Sequence, residues 1–143
     1  MEHETRQLCE TLRMLERRLG LIDDSIKTCC GITLSQCHAL VEIGRSSSLS
    51  LNDLAALLDL DKSTASRAVD SLVRRGLVSR QPSLASRRHV LLGLSEPGEK
   101  LFASIESDMH QYYDNVLEQI PAAKRSQVID SLRILTEAIT KAG

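Results

Sequence analysis

The chain has 143 residues, 42% hydrophobic and 26% charged, with a formal net charge of −1 at neutral pH. That balance fits a globular chain of one domain, or one domain with helical extensions, and excludes disordered-tail and collagen-like compositions. The longest apolar runs, such as Leu54-Ala55-Ala56-Leu57-Leu58, fall far short of the roughly 20 residues of a membrane span. No basic stretch followed by an apolar run opens the chain, so no secretory signal is read and a cytoplasmic location is expected. Two Tyr, one Phe and no Trp imply an aliphatic core and disfavour the single-strand binders that stack bases on aromatic platforms. A chain of this size buries enough surface to fold without staples, and in a reducing cytosol its four cysteines are expected as thiols.

Taken in order, residues 5–27 read as a helix, with Leu8, Leu12, Leu15, Leu19 and Ile22 forming one apolar stripe. Gly31 interrupts the pattern. Thr33 and Gln36 then form a capping box, opening a helix expected to stop at Gly44. After the polar Ser46-Ser47-Ser48, Ser50-Leu51-Asn52-Asp53 caps the short run Leu54–Leu58. Asp61 caps a further helix with Ala65, Val69, Leu72 and Val73 on its apolar side, ended by Gly76. The segments 77–81 and 89–94 read as a β-hairpin with a basic, polar tip. Ser95 caps a long helix to about Glu118, with an inner face of Leu101, Ile105, Met109, Tyr112 and Val116. Pro121 is expected at the first position of a last helix ending near Lys141.

The near-zero net charge hides an asymmetry. Residues 61–90 contain Lys62, Arg67, Arg74, Arg75, Arg80, Arg87 and Arg88 against Asp61 and Asp70, a local net of +5, while both flanks are slightly acidic. A basic segment of this kind points to a face for a polyanion. It coincides with a helix-turn-helix, whose turn is Leu58-Asp59-Leu60-Asp61 and whose second helix is Lys62–Arg74. The N-terminal half of that helix offers Ser63, Thr64, Ser66 and Arg67, short polar groups plus one arginine suited to base edges in a major groove. Lys62, Arg74, Arg75 and Arg80, with Arg87, are candidate phosphate contacts. A basic hairpin directly after the motif makes the arrangement a winged helix, the wing lying on the neighbouring minor groove or backbone.

From about residue 8 to residue 140 the chain resembles the multiple-antibiotic-resistance regulator (MarR) family. The resemblance is carried by Gly31-Ile32-Thr33-Leu34-Ser35-Gln36, by Leu54–Leu58, by the run from Asp61 to Val78 and by Leu94-Ser95-Glu96-Pro97-Gly98-Glu99-Lys100. It implies a mainly α fold with a small β-hairpin wing, a single domain over residues 1–143. A winged helix-turn-helix lobe at 33–94 would be flanked by dimerisation helices at 1–30 and 96–143. It further implies a homodimer reading a palindrome in double-stranded DNA, and a repressor released by an effector. The family's wing pattern Asp-x-Arg falls on Ser86-Arg87-Arg88: Arg88 matches the wing arginine, whereas Ser86 departs from the aspartate that orients it.

The cysteines admit two readings. Cys29, Cys30, Cys37 and His38 lie within ten positions, and thiolates with imidazole suit zinc, copper or thiophilic ions such as arsenite. His110 could complete such a site, and Cys9 could reach a partner subunit. In the resembled family, effectors act near this region and some members sense zinc or oxidants there. Against this, vicinal cysteines lack zinc-finger spacing. Cys37 falls at the helix position where a staple to Ile32 is expected, and on the second reading the cysteines are small buried hydrophobes in a regulator that answers to an organic ligand. No cofactor is required by either reading. A winged helix used for protein contacts is the competing class. No C-x-x-C motif, phosphate-binding glycine loop or hydrolase constellation suggests an enzyme.

Overall fold

The computed structural model describes residues 1–83 and 90–143, the side chains of 23–30 excepted. In chain order the elements are α1 (Glu2–Cys30), α2 (Leu34–Arg45), β1 (Leu49–Ser50), α3 (Leu51–Leu57), α4 (Lys62–Arg74), β2 (Val78–Pro82), β3 (Val90–Leu94) and α5 (Glu96–Glu118), then a 3₁₀ turn (Ala122–Lys124) and α6 (Arg125–Ala142). The fold is mostly helical with a small antiparallel sheet, as expected. The chain divides into two compact units, Met1–Ala103 and Ser104–Gly143, the boundary falling within α5.

Local chemistry explains most boundaries in the first unit. Thr33 Oγ1 accepts from the Gln36 amide at 3.2 Å, and the Gln36 side chain accepts from the Thr33 amide at 3.1 Å, the reciprocal box read from the sequence. Ser50 and Asp53 repeat it at 3.1 Å in both directions. Asp61 Oδ1 accepts from the Thr64 amide at 3.0 Å at the start of α4. Two helices end in the same left-handed motif. After α3, Asp59 takes φ 52°, with Leu60 N–H bonded to Ala55 O at 2.9 Å and Asp59 N–H to Ala56 O at 3.3 Å. After α4, Gly76 takes φ 73°, with Leu77 N–H bonded to Leu72 O and Gly76 N–H to Val73 O, both at 3.0 Å.

The core of this unit is aliphatic: Ile32, Leu40, Ile43, Leu54, Val69 and Leu72 are fully buried, and no polar or charged side chain is buried among the described residues. Ile32 and Cys37 are both buried, as the staple expectation requires. The sheet order is β1-β3-β2, with Leu49 opposite Leu92 on one side of β3 and Val78 opposite Leu94 on the other.

Four expectations need correction. Gly44 is not a helix stop: α2 runs on to Arg45, and Gly44 makes room for the Phe102 ring, which a Cβ there would meet at 2.5 Å. The hairpin is the larger part of a three-stranded sheet, because β1, only two residues long, pairs with β3. The first helix is longer than residues 5–27 at both ends. Pro121 precedes a 3₁₀ turn, and the last helix starts at Arg125.

In the second unit, Tyr112 and Tyr113 meet edge to face at a centroid distance of 5.1 Å. Arg125 Nε donates to the Ile120 carbonyl at 3.1 Å and fastens the turn ahead of α6. Ile129, Leu132, Ile134 and Ile139 on α6 are exposed, as are Tyr112 and Val116 on the face of α5 expected to point inward. Among the described residues no helix is long and apolar enough to cross a membrane.

Candidate nucleic-acid interface

Helix α4 presents two faces set by its spacing. Ala65, Ala68, Val69 and Leu72 point into the core, which leaves Lys62, Ser63 and Arg67 exposed and Thr64 and Ser66 half-buried. The candidate base readers therefore share the outward side of the N-terminal half. They are also ordered among themselves. Asp61, Thr64 and Arg67 stand three residues apart, one above the other on the helix. Arg67 Nη2 donates to Thr64 Oγ1 at 3.3 Å, and Thr64 in turn bonds Asp61. The Asp61 carboxyl is held below its ordinary range, first by the side-chain hydrogen bond with Thr64, then by the Thr64 amide and the charge of Arg67. Arg67 thus lies along Thr64 on the exposed side of α4.

The candidate phosphate contacts fall into two groups. Lys62 and Arg74 are exposed near opposite ends of α4. Arg75 and Arg80 are engaged within the chain. Arg75 Nη1 donates to the carbonyl of Gly31, in the turn between α1 and α2. Arg80 Nη2, on β2, is ion-paired with Oδ1 of Asp70 on α4. Neither partner was legible in the sequence, because one lies 44 residues away and the other 10. A further tie, Gln36 Nε2 to Ser71 Oγ at 2.9 Å, joins α2 to α4 and gives the capping glutamine a second task. Arg87 and Arg88, with Ser86, lie outside the described residues, as does His89.

The root of the wing is fastened where the chain leaves α4 and enters α5. Leu77 O accepts from Ser95 N–H at 3.0 Å. Ser95 Oγ donates to Gly76 O and accepts from the Gly98 amide at 3.1 Å, so the predicted cap of α5 also locks the end of α4. Gly98 is required here, since a Cβ would stand 1.9 Å from Leu77 O.

The described candidate thiol and metal residues belong to three different helices. Cys9 is exposed near the start of α1, Cys37 is buried on α2 and His38 beside it is exposed. His110 is exposed on α5, its Nδ1 3.1 Å from Glu106 O. The side chains of Cys29 and Cys30 lie outside the described residues. Among the described residues no three His, Cys, Asp or Glu side chains gather as a metal site would need.

Known proteins share this arrangement. A family model described as MarR family matches residues 32–90. The HTH-type transcriptional regulator BilQ of Clostridium symbiosum (strain WAL-14163) is 30% identical over 105 residues, spanning 73% of this chain and 73% of BilQ. Among solved structures, Streptococcus pneumoniae FabT in complex with DNA matches with a TM-score of 0.86 at 15% identity, covering 96% of this chain and 99% of FabT. The S. aureus MepR–DNA complex matches with a TM-score of 0.80 at 22% identity, covering 91% and 96% of the two chains. At those identities the structural likeness speaks for the fold.

Proposed function

The chain belongs to the MarR family of transcriptional regulators, not to an enzyme family, and on that premise we propose that it is a homodimeric repressor that reads a palindromic operator in double-stranded DNA. The observation that carries this reading is the N-terminal half of α4, where Ser63 and Arg67 are exposed and Thr64 and Ser66 half-exposed beside them on a helix capped by Asp61. Such a helix fits a major groove of about 12 Å, and short hydroxyls with one arginine match base-edge donors and acceptors. Lys62 and Arg74 neutralise backbone phosphates, and the wing segment that carries Arg87 and Arg88 lies on the adjacent groove. FabT and MepR, whose folds the chain shares, were each solved with DNA.

Dimerisation is supported by the apolar side chains left exposed on α1, α5 and α6, among them Leu8, Leu19, Tyr112, Leu132 and Ile139. Isolated exposed leucines are ordinary, but repeated ones along several helices mark an interface. In this reading residues 1–30 and 96–143 supply the dimer contacts of one domain, and 33–94 the DNA-binding lobe. An effector then favours a dimer whose two α4 helices no longer match one turn of DNA. That effector is an organic ligand or a thiol-directed agent. The buried position of Cys37 in the core supports a packing role for that cysteine.

The test is a gel shift on the DNA flanking the protein's own gene. Wild type is expected to form a specific, salt-sensitive complex, and Arg67→Ala to lose it while remaining dimeric. Full operator affinity in Arg67→Ala would overturn the assignment of α4 as the reading helix. Addition of zinc, arsenite or an oxidant, against the same series with Cys37→Ser, separates thiol-directed release from an organic effector.

A further inference from the structure

The pairing of Arg80 with Asp70 bears on how the protein holds DNA. Both side chains are about half exposed, at 40% and 47% of their full surface, and they link the first strand of the wing to the helix proposed to enter the groove. Ion pairs this exposed add little to stability. They do determine two other things, which are the direction of the guanidinium and the charge it offers. A carboxylate bonded to Arg80 cancels its charge toward an approaching phosphate. A second phosphate bond would have to share or displace that partner.

We propose that Arg80 is a positioning residue rather than a phosphate contact, and that Asp70 masks its charge and fixes the wing strand β2 against α4. The inference rests on the DNA-binding reading above. Phosphate neutralisation then falls to Lys62 and Arg74, which are exposed on α4. Asp70 acts only through Arg80. It sits on the last third of α4, next to Ser71, which Gln36 holds from the other side.

The salt dependence of DNA binding tests this, because each phosphate neutralised contributes about 0.9 to the slope of log affinity against log salt. Lys62→Gln and Arg74→Gln are each expected to flatten the slope by about 0.9. Arg80→Gln is expected to leave the slope unchanged while lowering operator affinity at every salt concentration. Asp70→Asn is expected to unmask the guanidinium and steepen the slope, by up to about 0.9. The double variant Asp70→Asn with Arg80→Gln, which carries neither charge, is then expected to return the slope to the wild-type value, whereas simple repulsion between Asp70 and DNA would leave it as steep as in Asp70→Asn alone. Flattening of the slope by Arg80→Gln, with no effect of Asp70→Asn, would show Arg80 on a phosphate and overturn the proposal. Should wild type bind no DNA specifically, the DNA reading itself fails, and retention on heparin still judges the pair. Asp70→Asn should elute later than wild type, and the double variant Asp70→Asn with Arg80→Gln together with wild type. Elution of the double variant well before wild type would mean that Arg80 offers its charge in spite of Asp70 and that Asp70 masks nothing.

Discussion

Asp61 ties a helix cap to the outward face of α4 through Thr64 and Arg67, and its titration has a defined sign. Its folded-state carboxyl is held below the ordinary range by the Thr64 side chain, the Thr64 amide and Arg67. A depressed carboxylate contributes stability above its unfolded value, about 3.9, and loses it as pH falls through the folded value. Asp61→Asn keeps a capping side chain but removes the charge. The gap in thermal midpoint between wild type and Asp61→Asn should therefore be widest near neutral pH and close as the solution is acidified below pH of about 4. An unchanging gap would show that the charge does not matter. Asp59 offers a second handle, since it adopts φ 52° in the helix-turn-helix turn without being glycine. Asp59→Gly should raise stability by up to about 1 kcal/mol and Asp59→Val should lower it by about 1–2 kcal/mol, measured by chemical denaturation. At this scale the sequence was only partly informative. It showed which residues are cationic, but not that Arg75 would bond Gly31 O or that Arg80 would pair with Asp70, because both partners are supplied by tertiary folding.

Among the elements, the helices with side-chain caps were legible because a cap is a local bond between residues three apart, as at Thr33, Ser50 and Asp61. What escaped was set by packing. Gly44 looks like a terminator in sequence, yet it serves as the floor under Phe102. Strand β1 is too short to show alternation and exists by pairing with β3. The glycines that bracket the wing make the contrast testable. Gly76→Ala meets no atom within 4 Å and is opposed only by its φ of 73°, so it should cost about 1–2 kcal/mol. Gly98→Ala would drive a methyl into Leu77 O, and backbone must move, so it should cost more, about 3 kcal/mol or above. Equal midpoints for the two variants in urea would mean that α5 can withdraw from Leu77 at no cost.

For the whole molecule, the aliphatic core and the exposed helices make separable demands. Leu72→Ala, deep in the first unit, should cost about 2–5 kcal/mol at any protein concentration. Ile129→Glu with Leu132→Glu alters exposed positions on α6 and should leave the first unit folded. It should also abolish dimers in sedimentation and remove the concentration dependence of the melting midpoint. Dimers that persist in that variant would place the interface elsewhere. The helical fold and the place of α4 were legible from periodicity, caps and clustered charge, whereas the sheet's third strand and the clasped arginines were not. Leu77 carries one more consequence. Its amide closes the end of α4 on Leu72, and its carbonyl receives the amide of Ser95, where the chain returns from the wing. The wing leaves and re-enters the protein at a single residue, whose two flanking peptide groups are both bonded, so the outer end of the hairpin can melt while the root stays shut. In hydrogen exchange the amides of Leu77 and Ser95 should therefore outlast those of Gln81 and Val90 at the outer end of the hairpin, and a protease that trims the wing should leave α4 and α5 still joined.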